Sequence, residues 1–201
     1  MKYFVLLASL LALSACELKG TMTVDSEFTA IDKKGRSYQI MPGTYRTRMD
    51  YDENDRELKL EIKDAVAHDD VELRLLVPVG RNAPERGKSF SYSARELGQS
   101  FSLRGQSTER FSQSEPLRRT ETCHVVRYVR DCPYYPRGRR YCYNRPVNYI
   151  GYQTVEYRLN TMTESLELQL VSENGERTLA RSSGQNSSTQ EEIVYRGFCY
   201  L

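Results

Sequence analysis

In the stretch DYDENDRELKLE, Asp50, Asp52 and Asn54 stand at alternate positions and Glu61 falls at the twelfth. Oxygen donors at that spacing follow the ligand pattern of a calcium loop. The pattern breaks at the sixth position, where Asp55 stands in place of the glycine that a sharp loop turn needs. The flanks also alternate like strands, not helices. The same residues make an Asp/Asn-rich hairpin turn, which is the expectation here, with the calcium site as its alternative. No other metal and no cofactor is assigned.

The second group that could do chemistry is basic and aromatic. Residues 117–160 hold nine arginines against Glu121, Asp131 and Glu156. Six tyrosines from Tyr134 to Tyr152 interleave with them. Arginine forks bind phosphate or carboxylate through paired hydrogen bonds, and tyrosine rings stack on sugars or guanidinium planes. Tyr134, Tyr135, Arg137, Arg139, Arg140 and Tyr141 form the candidate anion- or partner-binding tip. The alternative is a hairpin whose arginines are solvated, or paired with the acidic stretch 50–74. The chain as a whole carries a formal net charge of only +2, which speaks against a nucleic-acid partner.

Catalysis finds little support. His68 precedes Asp69 and Asp70 and reads as part of a turn, while His124 adjoins Cys123 in an expected strand and reads as structural. No G-x-S-x-G, H-E-x-x-H or glycine-rich phosphate loop occurs. The expectation is a non-enzymatic protein, with no catalytic residue assigned.

Cys123, Cys132, Cys142 and Cys199 make an even set. Their spacings contain no C-x-x-C, so a zinc site is disfavoured against two disulfides. Three pairings are open. CPYYPRGRRYC carries Pro133, Pro136 and Gly138 between its cysteines, the chemistry of a hairpin tip. That favours Cys132 with Cys142, and leaves Cys123 for Cys199.

A fifth cysteine ends a different pattern. Met1-Lys2 is a short positive head, Tyr3 to Leu13 is apolar apart from Ser9, and Ser14 and Ala15 are small. Charge, short apolar core and small residues are the three parts of an export signal. The run falls short of the about 20 residues that span a bilayer. Leu13-Ser14-Ala15-Cys16 resembles the lipobox of bacterial lipoproteins. The resemblance covers only the first 16 residues. It implies removal of residues 1–15, and Cys16 as the lipid attachment site, carrying diacylglyceryl and palmitate-type acyl chains. One acyl chain holds a protein to a membrane only marginally, whereas two or more hold it firmly. In Gram-negative members an aspartate after the cysteine typically marks inner-membrane retention. Glu17 stands there instead, which implies the outer membrane.

The elements that must position these groups read as strands. ELKLEIK, DVELRLLV, SFSY, SFSL, TVEYRL, SLELQL and the final EEIVYRGFCYL alternate apolar and polar residues. Lys34-Gly35, Pro42-Gly43, Glu53-Asn54-Asp55 and Asn174-Gly175 separate them with turn chemistry. Helical spacing is confined to one turn in SARELGQ. The expected fold is therefore all-β: an antiparallel sandwich or small barrel, stapled by disulfides, with a core of Leu, Ile, Val and some of the 15 tyrosines. Residues 16–27 are expected as the lipidated N-terminus and a polar tether, and 28–201 as the β-rich domain, with a sub-boundary near 113–120. Residues 81–88 read as a surface loop and 181–190 as a polar connection.

Together these features imply a lipid-anchored bacterial envelope protein, periplasmic or surface-facing. Its membrane contact would run through the lipid, and its β-rich domain would bind an anionic envelope component or a protein. A periplasmic hydrolase, or an inhibitor or assembly factor that binds a partner, is the alternative.

Overall fold

The computed structural model describes residues 17–32, 34–66, 69–85, 87–133 and 141–201. Strand makes up 72% and helix 2%, so the fold is all-β. The chain divides into two compact units. The first takes the chain up to Arg110 together with Met162–Ser187. The second takes Phe111–Thr161 and Ser188–Leu201.

The first unit contains β1 (Leu18–Val24), β2 (Phe28–Ile31), β3 (Ser37–Ile40), β4 (Gly43–Asp52), β5 (Glu57–Val66), β6 (Asp69–Leu76), β7 (Ser89–Tyr92) and the single turn α1 (Ala94–Leu97). It also holds most of β8 (Phe101–Gln113). The second unit holds β9 (Leu117–Asp131). Two long strands, β10 (Tyr143–Ser172) and β11 (Thr178–Arg196), supply residues to both units. The strand order in the main sheet is β6-β5-β4-β1-β11-β10-β8-β7, antiparallel, while β2 and β3 make a separate ribbon.

Period-two alternation explains which side is buried. Leu58, Leu60 and Ile62 of β5 are fully buried, as are Val71, Leu73, Leu75 and Leu170. Their charged neighbours face outward and pair across strands. Phe90 and Tyr92 near one end of the strand order join Val71, Leu73 and Leu75 at the other in one apolar cluster, so the first unit's part of the sheet curls into a half-barrel. Phe28, Ala30 and Ile40 of the ribbon join the same cluster. Gln99 fastens the ribbon: its side-chain amide accepts from Ile31 N at 2.9 Å and donates to Ile31 O at 3.0 Å. Among the described tyrosines only Tyr92 is fully buried, and its hydroxyl donates to Asn82 O at 2.5 Å.

Local chemistry sets the turns. Ser93 and Glu96 form a reciprocal capping box on α1, closed by Gly98 in the left-handed region. Asn174 and Gly175 (φ 75°) turn β10 into β11. Asp52 Oδ1 accepts from Asn54 N at 3.0 Å and from Asp55 N at 3.3 Å, which makes the β4–β5 connection an Asx turn.

Two segments differ from expectation. The expected tether, 16–27, contains β1, which lies between β4 and β11 with Met22 and Val24 in the core. Leu18, Gly20, Met22 and Val24 alternate with Lys19, Thr21 and Thr23, and neighbours on both sides satisfy the backbone. The polar stretch 181–190 likewise belongs to β11. Hydroxyl pairs there replace apolar packing: Thr47 with Ser182 at 3.3 Å, and Thr163 with Ser187 at 3.1 Å.

Candidate binding surface

The second unit is built on β10. Its first half pairs with β9 from Tyr143 opposite Asp131 to Tyr157 opposite Leu117. Where β8 gives way to β9, Pro116 lacks an N–H, and the Ser114 hydroxyl accepts from Leu159 N at 2.9 Å in place of a backbone carbonyl. On the other side of β10 the chain end returns as a short pairing. Tyr152 N donates to Tyr200 O at 2.8 Å, and Tyr200 N donates to Tyr152 O at 2.9 Å. No strand pairs with the outer edge of β9 among the described residues.

Two disulfides clamp this arrangement. Cys132 bonds Cys142, with Cα atoms 4.1 Å apart, and Cys123 bonds Cys199, with Cα atoms 5.9 Å apart. The second bridge links β9 to the chain end across β10. It does so beside Gly151, the residue opposite Cys123.

Four of the seven described arginines of this unit are neutralised locally. Arg118 pairs with Glu156 at 2.6 Å, and Arg145 with Asp131 at 3.6 Å. Arg119 donates to Glu191 Oε1 at 2.7 Å and to Glu121 Oε1 at 2.6 Å, and lies 4.7 Å over the Tyr157 ring. Arg196 reaches Glu121 at 2.7 Å. These contacts raise the pKa of Arg119, Glu191 contributing most. They lower that of Glu121, with the Arg119 bond the largest cause. Arg127 and Arg130 of β9 are exposed and have no ion pair among the described residues. The acids of 50–74 find their own bases: Asp50 and Asp52 each lie 3.9 Å from Lys59, and Lys63 holds Glu61 at 2.6 Å and Asp70 at 2.8 Å.

The calcium candidates are therefore arranged as a hairpin. Asp50 is opposite Lys59, Asp52 begins the turn, and Glu61 is opposite Arg48, further down the ladder. Among the described residues no cluster of three His, Cys, Asp or Glu side chains has metal-holding geometry. Tyr134, Tyr135, Arg137, Arg139 and Arg140 lie outside the described residues, as do His68 and Cys16. Tyr141 is exposed, its ring 6.5 Å from that of Tyr143. His124 is exposed too, opposite Ile150. The first unit carries an open polar trough of about 570 Å³ whose lining includes Thr21, Thr23, Arg104, Glu167, Arg181 and Ser183. No histidine or cysteine lines it.

The feature that sequence reasoning missed is the distribution of apolar surface. Exposed large apolar side chains in the first unit are Met41, Leu76 and Val79, while the other sixteen among the described residues belong to the second. Val155 is the one fully buried apolar side chain described in that unit. Residues opposite one another on paired strands share a face. One face thus carries Val126 (53% exposed), Tyr128 (72%), Ile150 (67%), Tyr152 (51%) and Tyr200 (57%). The other face holds the Cys123–Cys199 disulfide and Gly151, together with Leu117, Val129, Tyr143 and Tyr149, which are less exposed. The alternation in HVVRYV and NYIGYQ was the available signal, but it reads the same whether or not the face is covered.

No protein-family model, no curated protein and no solved structure matches this chain. No described helix is long and apolar enough to cross a membrane.

Proposed function

We propose that this protein is a lipid-anchored component of the bacterial envelope, held in the outer membrane through Cys16, that acts by binding a partner through its second unit. One observation carries the binding role. Sixteen of the nineteen exposed large apolar side chains among the described residues lie in the second unit, around two disulfides. Such a surface marks an interaction site rather than a core. The lipobox resemblance of Leu13 to Cys16 supports the anchor. The arginine-rich stretch between Cys132 and Cys142 is suited by its residue types to anionic headgroups or phosphates nearby.

Fractionation of cells producing the full chain tests both halves. The chain should sediment with membranes, and Cys16→Ala should release it. Replacing Arg137, Arg139 and Arg140 with alanine should weaken binding of the purified protein to vesicles rich in anionic lipid, with the melting temperature unchanged. Soluble wild-type chain would reject the anchor, and unchanged vesicle binding would reject the arginine-rich stretch as a binding site. A second reading, strand addition by a partner along β9, is favoured by the open outer edge of that strand.

A further inference from the structure

From the face that carries Val126, Tyr128, Ile150, Tyr152 and Tyr200 we infer that the second unit dimerises, two copies stacking these faces as a β-sandwich. An apolar sheet face needs a second layer over it, and the described residues supply none on this side, where the apolar side chains are the more exposed of the two faces. The first unit solves the same problem internally, with its curl and the β2–β3 ribbon.

The occupant follows from area, charge and shape. At 51–72% exposure, these five side chains present roughly 600 Å² per copy, taking usual aromatic and aliphatic areas. Pro146, Asn148 and His124 lie on the same face and are also exposed. Their contribution brings the patch close to the about 800 Å² that each partner gives up in a standard interface. Charge is confined to the ends of the face. Arg118 is neutralised there by Glu156, and Arg130 stands opposite Asn144 at the other end. Between them the face carries no Asp, Glu, Lys or Arg, so a second copy meets no array of like charges. An isologous contact sets identical apolar rows against each other, and two such sheets pack about 10 Å apart, a spacing that Tyr, Ile and Val fill.

The proposal deepens the binding role given to the second unit and does not depend on the lipid anchor. The test places a photo-crosslinking benzoyl-phenylalanine at Ile150 in the full-length chain, irradiated in producing cells. A disulfide-independent species of twice the chain's mass is expected. It should persist in the Cys16→Ala background and disappear when the probe is moved to Val147 on the opposite face. Purified in detergent, the wild type should be dimeric by light scattering. Ile150→Asp should weaken association at least about 100-fold, the usual consequence of a charge buried in an interface, with both disulfides intact. Crosslinking only to a different protein or only to lipid would overturn the second copy while leaving the binding surface in place. No crosslink from Ile150 at all would overturn both.

Discussion

Cys199 Sγ fills the space that a side chain at Gly151 would need. A Cβ built on Gly151 would lie 3.0 Å from that sulfur and 2.4 Å from the carbonyl oxygen of Tyr200. The glycine therefore lets the Cys123–Cys199 bridge and the returning chain end lie close against β10. Gly151→Ala should push the chain end off the strand. The expected cost is about 1–3 kcal/mol, typical of overpacking, read as a lower urea midpoint together with faster reduction of one disulfide by dithiothreitol. An unchanged midpoint and reduction rate would show that the chain end shifts freely.

The same bridge closes a loop between residues 76 apart in sequence. Replacing both Cys123 and Cys199 with alanine should lower stability by roughly 4–5 kcal/mol in the chain-entropy account. Removing Cys132 and Cys142, separated by only 10, should cost less. Urea unfolding of the two double variants, followed by tyrosine fluorescence, gives the order directly.

Calcium should leave the protein unmoved. Asp50 and Asp52 share Lys59, and Glu61 is held by Lys63. Melting temperatures in millimolar calcium and in chelator should agree within error. A calcium-dependent rise abolished by Asp50→Asn would contradict the hairpin assignment.

Acid should loosen the first unit. Ser93, through its backbone amide and its hydroxyl, and then Arg81, hold the Glu96 carboxyl down to about 2. In the unfolded chain a glutamate titrates near 4.3. Because the folded value is the lower one, the contribution of Glu96 is complete above roughly pH 5 and is lost as pH falls toward 2. Asp32 behaves alike. Burial alone would raise it, but the amides of Arg36 and Lys34 and the Arg36 guanidinium bring it to about 2. Glu96→Gln should flatten part of the fall in melting temperature between pH 5 and pH 2. A wild-type slope in that variant would contradict the capping box as an acid-sensitive contact.

The alternation of Leu58, Leu60 and Ile62, and of Val71, Leu73 and Leu75, made β5 and β6 legible in the sequence, because buried leucines and exposed charges leave one arrangement. Asn174-Gly175 announced its hairpin for an equally local reason. β1 was hidden by Gly20 and two threonines, and β11 by serines, an asparagine and Gly184. Their stability comes from neighbours on both sides and from hydroxyl pairs such as Thr47 with Ser182, which a one-strand pattern does not display. The apolar face of Val126, Ile150 and Tyr152 was hidden differently. Its residue types were visible, but exposure depends on which layers exist above a sheet, and that is settled only by tertiary structure.

Lipidation of Cys16 is what would hold this protein in the envelope. Mass spectrometry of the intact chain, purified from the membranes of a bacterium that produces it, should show a mature protein beginning at Cys16 and carrying a diacylglyceryl group with further acylation. A mature chain beginning at another residue, or a Cys16 with a bare thiol, would contradict it.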